Sequence, residues 1–92
     1  MKTLHLTIKK KWFDMISSGE KKEEYRETTS YWIKRLCDKN FDCVHFVNGG
    51  NFHHSHPQIT VKCEGIRIAK GRPEWGAERD RHYFVIKLGG KL

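Results

Sequence analysis

An amine, a carboxylate and a guanidinium fall close together in the stretch Gly19-Glu20-Lys21-Lys22-Glu23-Glu24-Tyr25-Arg26. In an extended chain, residues two apart share a face, so Lys22, Glu24 and Arg26 line one side and Lys21, Glu23 and Tyr25 the other. A Glu and an Arg pointing the same way are either a solvated surface pair or a polar pair turned into a pocket. Turned inward, they are tolerable only when paired. Arg26 could then grip a phosphate or orient Glu24, and Glu24 could accept from an exocyclic base amine. The plainer alternative is an ion pair bracing the strand. Lys21 stands near Lys22 and Arg26, and neighbouring positive charge plus desolvation would lower its pKa towards that of a nucleophile or general base. A solvent-facing lysine is its alternative, and Tyr25 is read as cover for the core.

A second group lies near the end of the chain. Trp75 is flanked by Arg72, Arg79 and Arg81, and aromatics interleaved with arginines suit unstacked bases and their phosphates. A tryptophan lid over the core is the competing account. Lys9-Lys10-Lys11 extends a positive surface or is simply solvated. His53, His54 and His56 lack helical spacing and a neighbouring Cys or carboxylate, so a polar loop is expected there rather than a metal site.

Positioning these groups requires a fold. Leu4, Leu6 and Ile8 alternate with polar residues, as in a half-buried strand. Trp12, Phe13 and Ile16 form a helical stripe closed by Gly19, and a charged strand from about Glu20 to Arg26 follows. Thr28-Thr29-Ser30 offers caps for a second helix, with Trp32, Ile33, Leu36 and Cys37 on one side. Cys43 to Val47 reads as a central strand, and Asn48-Gly49-Gly50-Asn51 as a turn. From Gln58 to Lys70 the apolar positions switch from odd (Ile59, Val61, Cys63) to even (Ile66, Ile68) across Glu64-Gly65, which signals a bulge or bend. The last strand runs from about His82 to Leu88, with Phe84, Ile86 and Leu88 inward and Gly89-Gly90 as a tail. Strands outnumber helices and the later ones are consecutive. The expected fold is α+β: one domain over residues 1–92, a mixed or antiparallel sheet curling into a small barrel with two or so short helices at its side.

Composition narrows the function classes. The 92 residues carry 18 Lys and Arg against 11 Asp and Glu, a net charge of +7. That excess favours a polyanion, nucleic acid before membrane, because no basic amphipathic helix stands out. No apolar run reaches membrane-span length and no signal-peptide segment follows the start, so a cytoplasmic setting is expected. Cys37, Cys43 and Cys63 form no CxxC pair and read as reduced, half-buried residues. No cofactor and no obligate protein partner is called for.

Gly19-x-Lys21-x-x-Glu24-x-Arg26 resembles the motif of the ASCH domains, a branch of the PUA-like superfamily of small pseudobarrels. The flanking order agrees, and Trp75-Gly76 followed by Tyr83-Phe84-Val85-Ile86-Lys87-Leu88-Gly89 resembles ASCH-type ends. The resemblance covers nearly the whole chain, apart from residues 38–56. It implies a cleft where the motif strand meets the helices, used by relatives to bind RNA or modified nucleosides. One related group hydrolyses acetylated cytidine with a lysine, a threonine and a glutamate. Lys21 matches that lysine, but the threonine position is Glu24 here, and Glu64, Glu74 and Glu78 are open candidates for the glutamate. Other relatives have been proposed to cleave RNA. Three expectations result. The first is an RNA- or nucleotide-binding domain using Lys21, Glu24, Arg26, Trp75, Arg72 and Arg79. The second is a hydrolase acting on a modified nucleoside, or a ribonuclease, with Lys21 and Glu24 reactive. The third is a non-catalytic interaction module.

Overall fold

Alternating Leu4, Leu6 and Ile8 are buried in the first strand, β1 (Thr3–Ile8), of the computed structural model, which describes residues 1–49 and 57–92. Helix α1 (Lys10–Ser17) follows and buries Phe13 and Ile16, with Trp12 half-buried at the edge of the stripe. Gly19 adopts φ +86° and its N–H bonds the Ile16 carbonyl at 3.1 Å. This left-handed turn stops the helix as its sequence position predicts.

The next strand, β2 (Glu23–Arg26), begins later than the expected Glu20. The preceding residues complete the exit from α1: the Lys21 N–H donates to the Met15 carbonyl at 2.9 Å. Lys21 is therefore not in the strand, and strand parity does not govern where its side chain goes.

Helix α2 (Ser30–Leu36) is capped by Thr29, whose side chain accepts from the Trp32 N–H. Leu36 is buried and Trp32 half-buried, but Ile33 and Cys37 are exposed, against the expected four-residue face. Among the described residues, these two turns of helix reach the core through the i, i+4 pair Trp32 and Leu36, a narrower contact than a full amphipathic stripe.

Strands β3 (Cys43–Asn48), β4 (Gln58–Lys70) and β5 (His82–Lys91) complete the sheet, with a 3-10 turn at Pro73–Trp75 between the last two. The order is β1-β3-β4-β5-β2. The β1–β3 pair is parallel and the other three are antiparallel. The α+β expectation holds in this form: a curled, mixed, five-stranded half-barrel with two helices. Because β1 and β3 run parallel, the chain between them must cross over. That crossover carries α1, β2 and α2, and so brings the motif strand to the far edge of the sheet.

The bend in β4 falls where the parity switch places it. Register shifts lie between Val61 and Cys63 and between Cys63 and Gly65, and Gly65 has φ +136°. Beyond it Ile66 is half-buried but Ile68 is 59% exposed, not inward as its parity suggests. Within β4 only Gln58–Lys62 pair with β3, so among the described residues the second half of β4 has β5 alone beside it and Ile68 is left uncovered. In β5 the buried run Tyr83–Ile86 covers both faces, and Gly89 and Gly90 belong to the strand rather than to a tail. Cys43 and Cys63 are buried, Cys37 is exposed, and all three are free thiols.

Among the described residues, no helix is long and apolar enough to cross a membrane. His53, His54 and His56, with Gly50 and Asn51 of the expected turn, lie outside the described residues.

Candidate functional site

Lys21, Glu24 and Arg26 meet in one cluster. Lys21 leaves the α1 exit turn and runs inward until it is only 2% exposed. Its Nζ donates to the Trp75 carbonyl and lies 3.2 Å from Glu24 Oε1. The ammonium also stands 4.9 Å from the ring centres of both Trp12 and Tyr25, close enough for attraction to each ring face. The expectation that Lys21 faces away from Glu24 is thus overturned. It follows from the late start of β2.

Glu24 and Arg26 do share a face, as alternation within β2 requires. Glu24 is 6% exposed and its Oε2 accepts from Arg26 Nη2 at 2.8 Å. The carboxylate therefore sits between two cations, one oxygen to each. Arg26 Nη2 also donates to the Thr7 carbonyl at 3.3 Å. Its guanidinium lies 5.2 Å from the Trp32 ring centre, and its Nε is buried with no hydrogen-bond partner.

These groups border an open pocket of about 390 Å³. Glu24, Tyr25 and Arg26 from β2 form one wall, Trp12 and Lys9 from the α1 side another, and Trp75 and Gly76 a third. Thr7 and Ile8 of β1 face β2 across the opening, so the pocket occupies the gap between the two edge strands. Lys21 is not among the lining residues: its amine lies behind Glu24, covered by the two rings.

Burial lowers the Lys21 pKa below the ordinary lysine value, Glu24 works against this, and Arg26 adds to the lowering. The direction agrees with the sequence expectation, but desolvation is the larger cause. Burial likewise raises the Tyr25 phenol. Its hydroxyl donates to Glu23 Oε1 at 2.8 Å and accepts from the Arg72 N–H at 2.9 Å. Tyr25 thus ties β2 to the loop that carries Trp75.

The other expected residues divide. Trp75 is half-buried and lines the pocket. Arg72 is exposed with its guanidinium 4.9 Å from the Trp75 ring centre, beside the pocket rather than in it. Arg79 is exposed and outside the lining. Arg81 pairs with Glu27 at 3.0 Å and Glu78 at 3.3 Å. Of the candidate glutamates, Glu78 is held by Arg81, and Glu74 is exposed in the 3-10 turn. Glu64 borders a separate hollow with Lys22 and Lys87. None of the three lines the pocket.

Trp12 and Thr7 were not singled out by sequence as site residues. Trp12 stands on the helical stripe, which reads as core. The available signal is that Phe13 and Ile16 already supply the stripe's centre, leaving a large ring with a polar edge at its border. Thr7 acts through its backbone, which no side-chain pattern reports. Elsewhere, the His5 and His45 rings are 5.6 Å apart, and His45 bonds Thr60 and Gln58 at 2.7 and 2.8 Å.

Compared with known proteins, the chain matches no family model, no curated protein and no solved structure.

Proposed function

We propose that this chain is a PUA-like domain of the ASCH kind that binds RNA, or a nucleotide, in the pocket between β1 and β2. The observation that carries the reading is the composition of that pocket: a Glu24–Arg26 pair at one wall facing Trp12 and Trp75 across about 390 Å³. A base needs an aromatic surface and polar groups for its edge, and its phosphate needs a cation. Trp75, Glu24 and Arg26 have those capacities, with Lys9 at the rim. The net charge of +7 supports a polyanionic partner.

In the hydrolase alternative, Lys21 is the reactive amine. Its lowered pKa supports that role. Against it, the amine is engaged by Glu24 and the Trp75 carbonyl and lies outside the pocket lining. In this geometry Lys21 acts on Glu24, fixing the carboxylate that borders the pocket, and binding is the better-supported activity.

The test is fluorescence anisotropy with single-stranded RNA over a salt series, for the native chain and for Glu24→Gln and Arg26→Gln. Salt-sensitive binding weakened at least tenfold by Arg26→Gln is the expected result. Binding at low salt that is indifferent to both substitutions would exclude this pocket. Acetylated cytidine incubated with the native chain tests turnover directly.

A further inference from the structure

On the far side of Arg26, helix α2 carries a run of rings and guanidinium groups in contact with one another. Arg26 lies 5.2 Å from the Trp32 ring centre. Trp32 meets Tyr31 edge-on, with ring centres 4.9 Å apart. The Arg35 guanidinium lies 3.9 Å from the Tyr31 ring centre. Tyr31 is nevertheless 55% exposed, and Ile33 beside it 45% exposed. Across the pocket, Arg72 lies 4.9 Å from Trp75. The order is therefore Arg72, Trp75, pocket, Arg26, Trp32, Tyr31, Arg35, with cation–ring contacts on both sides of the opening.

We infer that this run is a track for single-stranded nucleic acid, with one nucleotide in the pocket and its neighbours passing over Tyr31 and Arg35 of α2. The inference rests on the pocket reading and adds the partner's form and length. Bases have a π-face whatever their sequence, and stacking on an exposed tyrosine needs no particular edge. The Arg35 guanidinium held beside that ring gives a second plane on which a base can rest, and its N–H groups suit a phosphate. The helix contributes Lys34 and Arg35 in its last turn and no acid in its first, so the charge of the face matches a phosphate backbone. A surface built only to solubilise the helix has no need of a large exposed ring under an arginine. Duplex, whose bases are stacked on one another, cannot offer a base to Tyr31 and a second to the pocket.

The experiment compares nucleoside monophosphates with a single-stranded RNA of about five nucleotides and a duplex of the same sequence. Each is titrated against the native chain, Tyr31→Ala/Arg35→Ala and Arg26→Gln. Circular dichroism and thermal unfolding confirm that the variants are folded. The track predicts that the oligomer binds more tightly than any monophosphate and that duplex binds weakly. The Tyr31/Arg35 double variant should lose about tenfold on the oligomer and nothing on the monophosphates, whereas Arg26→Gln weakens both. Tyr31→Phe, which keeps the ring, should restore oligomer binding when Arg35 is present. Undiminished oligomer binding by the double variant, with monophosphate binding intact, would overturn the track and leave the pocket standing. Failure of the native chain to bind either probe would overturn both.

Discussion

At the scale of single residues, Lys21 is the post on which the site rests. Its ammonium joins the Trp75 carbonyl, Glu24 and two aromatic rings, so three separate segments of chain converge on one nitrogen. Removing one partner of a buried pair leaves the other charge uncompensated, at a cost of about 3 kcal/mol. Glu24→Gln should therefore destabilise the fold by about that amount in urea unfolding. Lys21→Met should cost less, because Glu24 keeps Arg26, and the double variant should cost less than the sum of the two. A cycle that adds without coupling would show the ion pair to be energetically idle. The pH dependence has a definite sign. Below the lowered Lys21 pKa, folded and unfolded chains both hold the proton and the burial penalty is fully present. As pH rises from there towards the ordinary lysine value of about 10.4, the folded chain releases a proton that the unfolded chain keeps, and stability increases. Unfolding measured across that window should show the gain in the native chain and lose it in Lys21→Met. Tyr25 acts oppositely: its raised pKa removes stability once unfolded tyrosine ionises, above about pH 10.

At the scale of elements, the loop between β4 and β5 is as much a part of the site as the motif strand. Gly76 closes its 3-10 turn at φ +104°, and a Cβ there would stand 3.0 Å from Trp12 Cζ2. Gly76→Ala combines a left-handed backbone with a crowded ring, and should cost about 1–3 kcal/mol. It should also turn Trp12 or Trp75, read as a shift in tryptophan emission. An unchanged spectrum and midpoint would mean that the loop moves independently of α1. What the sequence revealed about these elements depended on how local the cause was. Leu4, Leu6 and Ile8, the stop at Gly19 and the bend at Gly65 were legible because period and backbone freedom act within a few residues. Glu24 and Arg26 on one face followed from strand alternation alone. Lys21 beside Glu24 did not, because leaving α1 consumes the residues up to Lys22 and delays the strand. The exposure of Ile33 and Ile68 was equally hidden: it depends on whether another layer lies opposite, which periodicity along one segment does not report. Trp12 reads as core for the same reason.

At the scale of the whole molecule, charge and curvature work together. If RNA binds through the surface around the pocket, each phosphate contact releases counterion, and log K should fall with log salt by about 0.7 per contact on single strands. Arg26→Gln and Arg35→Ala should each lower that slope by about one contact's worth, whereas Glu24→Gln should change affinity and leave the slope alone. The sheet leaves room for such a partner because it is a half-barrel. Among the described residues, its edge strands β1 and β2 are joined at the pocket not by a ladder of backbone hydrogen bonds but by one side chain, Arg26 reaching the Thr7 carbonyl at 3.3 Å. That is a seam with a single stitch. Opening it breaks one hydrogen bond to a charged donor, worth about 1.5–3 kcal/mol, and leaves the β1–β3 and β2–β5 ladders intact. A ligand that reached this seam would have one hydrogen bond to displace there rather than a ladder. In hydrogen exchange, the β2–β5 amides should keep their protection in Arg26→Gln, with faster exchange confined to the end of β1 around Thr7 and Ile8.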